Sequence, residues 1–184
     1  MANRHFGKLG EVWKHLPLCE VLAQEQPSLY AETHAGSAVY PPVDDPERRY
    51  GVHGFRSVAD RDALLWDSRY RVHLDRVLRA GDRTVGAASR GDGALVPGSP
   101  ALAMLELGAS SRYVLCDMDP ASTEDLRAWA SRHGLTERVT VITGDGMAAW
   151  PRTCSTRRRP RPPWCTSTRT TPKPARQGRS RRSS

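Results

Sequence analysis

Small and acidic residues follow three short apolar segments of this sequence. They are Gly36 after the first segment, Asp117 or, as the alternative acid, Asp119 after the second, and Asp145 with Gly146 after the third. A turn of small residues leaves backbone N–H groups open to a polar ligand. A carboxylate can accept hydrogen bonds from two ribose hydroxyls or from an adenine amino group. These residue types indicate a site for a ligand that carries a nucleoside.

The kind of nucleoside ligand follows from what the sequence lacks. The G-x-G-x-x-G pattern that brings a pyrophosphate to the backbone is absent. Two acids beside a small-residue turn suit a cofactor without a pyrophosphate, which favours S-adenosylmethionine over NAD. Strands that end in aspartate are common, so an alternative interpretation is that these acids are ordinary loop residues.

The elements that position these residues alternate along the chain. We predict strands over 28–33, 112–117 and 138–143, helices over 10–26, 62–80, 101–107 and 122–133, and loops over 41–60 and 81–93. Strands separated by helices predict a parallel sheet in an α/β, Rossmann-like fold. The carboxyl ends of such strands form the edge where ligands bind, so the predicted site lies at one edge of the sheet.

The chain divides by composition near Trp150. Residues 151–184 hold 11 of the 28 Lys and Arg residues and no Asp or Glu, whereas residues 1–150 have a net charge of −3. The 151–184 segment has six prolines and no Val, Ile, Leu, Met, Phe or Tyr. It cannot bury enough apolar area to offset the entropy of ordering. We therefore predict one domain over 1–150 and a disordered basic tail over 151–184.

Cysteine use and hydropathy restrict the cellular setting. The four cysteines form no C-x-x-C pair and no close cluster with histidine, so we expect neither a metal site nor a disulfide framework. No run of 18 apolar residues and no apolar leader is present. We expect a cytoplasmic monomer that does not associate with membranes.

Four short motifs occur in a fixed order. They are N-R-H at 3–5, G-E-V-W-K-H at 10–15, T-H-A-G-S-A-V-Y at 33–40 and P-G-S-P at 97–100. Together they resemble the RlmJ family of 23S ribosomal RNA adenine-N6 methyltransferases over residues 3–150. The resemblance implies a class I methyltransferase fold with a small helical insertion over about 41–95, S-adenosylmethionine as cofactor and 23S ribosomal RNA as partner.

The resemblance also assigns individual residues. The residues that match the family's contacts with S-adenosylmethionine are His15, His34, Gly36, Ser99, Asp117, Asp145 and Gly146, and those that would contact RNA are Arg4 and Lys14. Each residue has an ordinary alternative role. His15 is also compatible with a buried helix histidine, Ser99 with a helix cap and Lys14 with a solvated charge.

Some positions depart from the family pattern. Glu11 stands where the family has Asp, Ala38 where it has a second Gly, and Val96 where it has Tyr. The larger departure is the D-P-P-Y motif of the fourth strand, which does not occur in this sequence. In the family this motif binds the amino group of the target adenine and stacks on its ring. We therefore assign no catalytic residue and expect this form to be inactive.

The missing motif coincides with the change in composition. When the codons after Trp150 are regrouped one nucleotide earlier, Trp164 followed by Cys165 gives Val, and the next junctions permit His-Ile-Asp-Pro-Tyr-Asp-Pro. This pattern indicates a methyltransferase that is truncated by a shift of reading frame after about residue 150. The alternative is a non-catalytic protein that binds RNA through a genuine basic tail.

Overall fold

The structure, a computed structural model, describes residues 6–41, 46–84 and 95–149. Its elements in chain order are α1 (Leu9–Glu25), β1 (Leu29–Glu32), β2 (Val39–Tyr40), α2 (Pro46–Arg48), a π-helical segment (Arg49–His53), α3 (Gly54–Ala59), α4 (Ala63–Trp66), α5 (Arg69–Thr84), β3 (Val96–Pro97), α6 (Ser99–Leu107), a 3₁₀ turn (Gly108–Ser110), β4 (Arg112–Asp117), α7 (Pro120–Arg132), a second 3₁₀ turn (Thr136–Arg138) and β5 (Val139–Thr143). The predictions for Arg4 and for 151–184 lie outside the described residues.

A three-stranded parallel sheet carries the fold. Its order is β1-β4-β5, with Glu32 opposite Leu115 and Asp117 opposite Thr143. The strands lie where the apolar segments of the sequence predict them, and the helices between them give the parallel arrangement that an alternation of strands and helices requires. The α/β architecture is therefore confirmed.

Helices α1, α6 and α7 form the layer on one face of this sheet. Their apolar side chains share one core cluster with Tyr113 and Leu115 of β4. Helix α6 packs against both α1 and α7, and α7 packs on β4 and β5. Helix α1 contains Pro17 and continues through it to Glu25.

Three sequence-based predictions differ from the structure in the segment between β2 and β3. Within the predicted loop over 41–60, residues 46–59 are helical and contribute Val52 and Phe55 to a second core cluster with Tyr70 and Leu74. Residues 62–80 form two helices rather than one, α4 and α5. Asp62 caps α4 by accepting hydrogen bonds from two backbone N–H groups. Residues 81–84 of the predicted loop over 81–93 are helical, because α5 extends to Thr84, and residues 85–93 lie outside the described part of the chain.

A short antiparallel pair closes the base of this helical insertion. Val39 lies opposite Pro97 and Tyr40 opposite Val96, so the chain enters and leaves the insertion side by side. The pair brings the T-H-A-G-S-A-V-Y and P-G-S-P motifs together. None of the described helices is long and apolar enough to span a bilayer.

Candidate functional site

The turn after β1 is bound to the carboxyl end of β4. The Gly36 N–H donates to Asp117 Oδ2 at 2.7 Å, and the Ala35 N–H donates to the Cys116 carbonyl at 2.9 Å. Gly36 has φ +66°, and a Cβ there would collide with the Tyr40 hydroxyl. Only glycine combines this left-handed backbone with this contact, so the small-residue turn holds Asp117 at the sheet edge.

The structure distinguishes the two acids that follow β4. Asp119 caps α7, because its Oδ2 accepts hydrogen bonds from the Ser122 N–H and hydroxyl at 3.2 and 2.8 Å. These hydrogen bonds lower the pKa of Asp119, and the one from the Ser122 hydroxyl has the largest effect. Asp117 instead ends the strand and faces the Gly36 turn. Of the two acids, Asp117 is the one that lies at the strand end beside the Gly36 turn.

The loop after β5 meets the loop after β1. Gly146 is buried, and a Cβ there would collide with the backbone of Thr33. Asp145 is exposed beside it, where Oδ1 accepts a hydrogen bond from the Met147 N–H at 2.9 Å and begins a helical turn over 146–149. The strand ends of β1 and β5 therefore converge in front of β4.

Glu32 is a half-buried acid that the sequence analysis did not assign to the site. The Tyr30 hydroxyl donates to Glu32 Oε1, and the Ser99 hydroxyl donates to Oε2 at 3.0 Å. Burial raises the pKa of Glu32 to about 7, although both hydrogen bonds act in the opposite direction. Ser99 does not cap α6, whose N-cap is Gly98 without a side-chain hydrogen bond. It holds Glu32 instead.

The first turns of α1 border this acid. The charges of Lys14 and Glu11 both act on the pKa of Glu32, in opposite directions. His15 is buried, and burial lowers its pKa to about 4, so it is neutral at pH 7. Its Nε2 lies 3.5 Å from Glu11 Oε2, and its ring lies 5.8 Å from the Tyr70 ring. Lys14 Nζ is exposed and pairs with Glu11 Oε1 at 2.8 Å.

An open groove of about 420 Å³ lies between the two converging loops. It is lined by Ala31, Glu32, Thr33, His34 and Met147. His34 is exposed, and its Nδ1 lies 3.0 Å from the Thr33 hydroxyl. The volume falls within the range of about 300–1,000 Å³ that is typical of small-molecule sites.

The sequence-predicted residues thus fall into two groups. Gly36, Asp117, Asp145 and Gly146 lie together at the carboxyl edge, and Ser99 reaches that edge through Glu32. His34 lines the groove at the same edge. The second group is His15 and Lys14 of α1, whose described contacts are within α1 and, for His15, with the helical insertion. The rule that selected Asp117 missed Glu32, because the predicted strand ran to residue 33, whereas β1 ends at Glu32.

Comparison with known proteins gives a structural neighbour. No protein-family model matches the chain, and no curated protein matches it. The fold is similar to that of the protein LPL1258 from Legionella pneumophila str. Philadelphia 1, described under the family model DUF519, with a TM-score of 0.59 and 23% sequence identity. The match covers 78% of this chain and 50% of that chain, so this chain spans about half the length of its neighbour. At this identity the likeness supports the α/β fold alone.

Proposed function

We propose that the described part of this chain binds S-adenosylmethionine at the carboxyl ends of β1, β4 and β5, as the cofactor-binding portion of a class I methyltransferase. The observation that carries the proposal is the hydrogen bond between Asp117 and Gly36. It fixes an acid against a glycine turn at the edge of a parallel sheet, where such folds bind nucleosides.

The acceptor groups of the edge match the donor groups of this cofactor. Asp117 Oδ1 and Oδ2 each accept one hydrogen bond from the backbone. An ionised carboxylate has about four acceptor positions, so Asp117 keeps capacity for two ribose hydroxyls. Asp145 is exposed at the neighbouring strand end and offers a carboxylate to the adenine amino group.

The groove beside Glu32 suits the charged part of the same molecule. The methionyl part of S-adenosylmethionine carries an ammonium, a sulfonium and one carboxylate, so it is cationic overall, and the Glu32 carboxylate favours nearby cations. Glu32 has a pKa of about 7 without a ligand, and a cation in the groove would favour its ionised form. An edge with three acids disfavours a pyrophosphate, which supports the choice of this cofactor over NAD.

The substrate class rests on the resemblance to adenine-N6 methyltransferases of ribosomal RNA. The bound cofactor would supply an electrophilic methyl group. The chain's own residues would hold the ribose, adenine and ammonium of the cofactor.

Lys14 is exposed, and an RNA phosphate would compete with Glu11 for the Lys14 ammonium. The adenine amine is a poor nucleophile. Methyl transfer to it requires a hydrogen-bond acceptor that is positioned to orient the amine. Since the sequence lacks D-P-P-Y, we expect cofactor binding without methyl transfer.

Titration calorimetry of the full chain with S-adenosylhomocysteine, the demethylated cofactor, tests the proposal. Asp117→Asn keeps an acceptor oxygen for the Gly36 N–H, but it loses the charge and the acceptor for the Asp119 N–H. Hydrogen bonds to charged groups contribute about 1.5–3 kcal/mol, so binding should weaken about 10- to 100-fold. Glu124→Gln, an exposed acid on α7, is the matched control and should bind as the original chain does. No heat with the original chain, or equal affinity in both variants, would exclude this site.

A further inference from the structure

The outer face of α1 is apolar and exposed. Leu9, Trp13, Pro17 and Val21 recur every four residues, and the exposed fractions of Leu9, Trp13 and Val21 are 50%, 71% and 53%. We call these four residues the α1 stripe. The opposite face of α1 is buried in the core. A helix that is apolar on both faces is typical of one that packs on two sides.

Helix α1, which carries the stripe, lies at one end of the helical layer, as β1 lies at one edge of the sheet. Across the fold the strands run β5-β4-β1 and the helices run α7-α6-α1. In the described part of the chain, β1 pairs with β4 and has no strand along its other edge. Alternate residues of Leu29–Glu32 direct their N–H and C=O groups to that edge. The open edge and the α1 stripe therefore bound one uncovered corner.

Residues 151–184 as translated cannot supply an apolar strand for this corner, because they contain no Val, Ile, Leu, Met, Phe or Tyr. The same codons read one nucleotide earlier can. Under the standard genetic code, the Pro163–Trp164 junction gives Leu, Met or Val for every choice of third base. The Trp164–Cys165 junction gives Val, and the Cys165–Thr166 junction gives Tyr or His. Read two nucleotides earlier instead of one, the Trp164–Cys165 junction gives Gly rather than Val.

We propose that the corner is filled by a parallel strand that the same gene encodes one nucleotide earlier, from about codon 163. A parallel neighbour of β1 requires a crossover of about a dozen residues or more, and codons 146–162 provide that length. The helical turn over 146–149 begins the crossover, and the Trp150–Pro151 junction gives Ala, a strong helix former. This inference concerns the sheet and does not depend on the proposed cofactor.

The nucleotide sequence across codons 150–172 is the first test, and it is independent of folding. We expect the shifted frame to have no stop codon and the Ser167 codon to be of the TCN type. The Thr166–Ser167 junction then gives Phe, Leu, Ile or Val. A stop codon in that frame before codon 170, or a Ser167 codon of the AGY type, would overturn the proposal.

A gene with one nucleotide inserted after codon 150 gives the second test, and a gene with two inserted nucleotides is the matched control. Hydrogen exchange at Leu29–Glu32 should slow at least about tenfold in the first product, equivalent to about 1.4 kcal/mol, and not in the control. The first product should also unfold at a higher denaturant concentration than the 184-residue chain. Equal exchange in both products, or equal unfolding midpoints of the first product and the 184-residue chain, would contradict the proposal.

The α1 stripe supplies a third test that separates two occupants. Trp13→Lys should leave the unfolding midpoint of the 184-residue chain unchanged, because Trp13 is exposed there. The same change should lower the midpoint of the one-nucleotide product. If instead β1 exchange in the 184-residue chain is slow and becomes fast on dilution, the edge is occupied by a second copy and the proposal is wrong.

Discussion

Gly146 marks the closest approach between the loops that follow β1 and β5. A Cβ at this position would overlap the backbone of Thr33, which cannot move aside as a flexible side chain could. Gly146→Ala should therefore lower the free energy of unfolding by about 1–3 kcal/mol. Gly10→Ala is the control, because nothing lies within 4 Å of a Cβ there and alanine in a helix is favoured over glycine by about 0.5–1 kcal/mol. Denaturant titration of both variants measures the difference, and equal stability would show that the two loops do not touch.

Glu32 and His15 give the stability of the chain two opposing dependences on pH. The pKa of Glu32 is raised from 4.5 to about 7, so the folded state keeps its proton longer and the free energy of unfolding falls as pH rises through this window. The pKa of His15 is lowered from 6.5 to about 4, so the free energy of unfolding falls as pH decreases through that window. Between pH 4.5 and 6.5 the two effects offset each other.

Single substitutions should expose each dependence. In Glu32→Gln the His15 effect remains, and stability should rise with pH between 4.5 and 6.5. In His15→Gln the Glu32 effect remains, and stability should fall over the same interval. Denaturant midpoints at several pH values in this interval provide the measurement. Two variants with the same slope would mean that at least one of these groups is solvated in the folded protein.

At the scale of elements, a substitution in α3 tests whether the helical insertion belongs to the same core as α1. The Phe55 ring is buried and lies 5.1 Å from the Tyr70 ring, and both share a cluster with Val12 of α1. Phe55→Ala should cost about 3–5 kcal/mol and speed hydrogen exchange in both α3 and α1. Val58→Ala, three residues later and 55% exposed, should stay within about 0.5 kcal/mol of the original chain. Faster exchange in α3 alone would indicate that the insertion folds independently.

The elements that the sequence predicted well are those with a local signal. The strand over 112–117 was predicted with its observed bounds, because a run of apolar residues between a turn and an acid is a local pattern. Residues 46–59 were predicted as loop because they lie in a segment, 41–60, that is rich in Pro, Asp and Arg. Their helical state depends on packing of Val52 and Phe55 against α1 and α5. The β2–β3 pair has two residues on each side, which is too short for a periodic pattern.

The site residues also divide into those with a local sequence signal and those whose role depends on tertiary contacts. Gly36, Asp117, Asp145 and Gly146 were found because each follows a predicted strand, and parallel strands bring their carboxyl ends together. The capping role of Asp119 and the hydrogen bond from Ser99 to Glu32 depend on side-chain directions. Spacing alone does not determine those directions.

At the scale of the whole molecule, we propose that the carboxyl ends of β1, β4 and β5 form one cofactor site. The most direct measurement is the change of backbone amide resonances when S-adenosylhomocysteine is added to the full chain. The largest changes should occur at Gly36, Asp117 and Gly146, with none at Val58 in the helical insertion. Saturable changes confined to the helical insertion, or no saturable change at any of the strand ends, would contradict the claim.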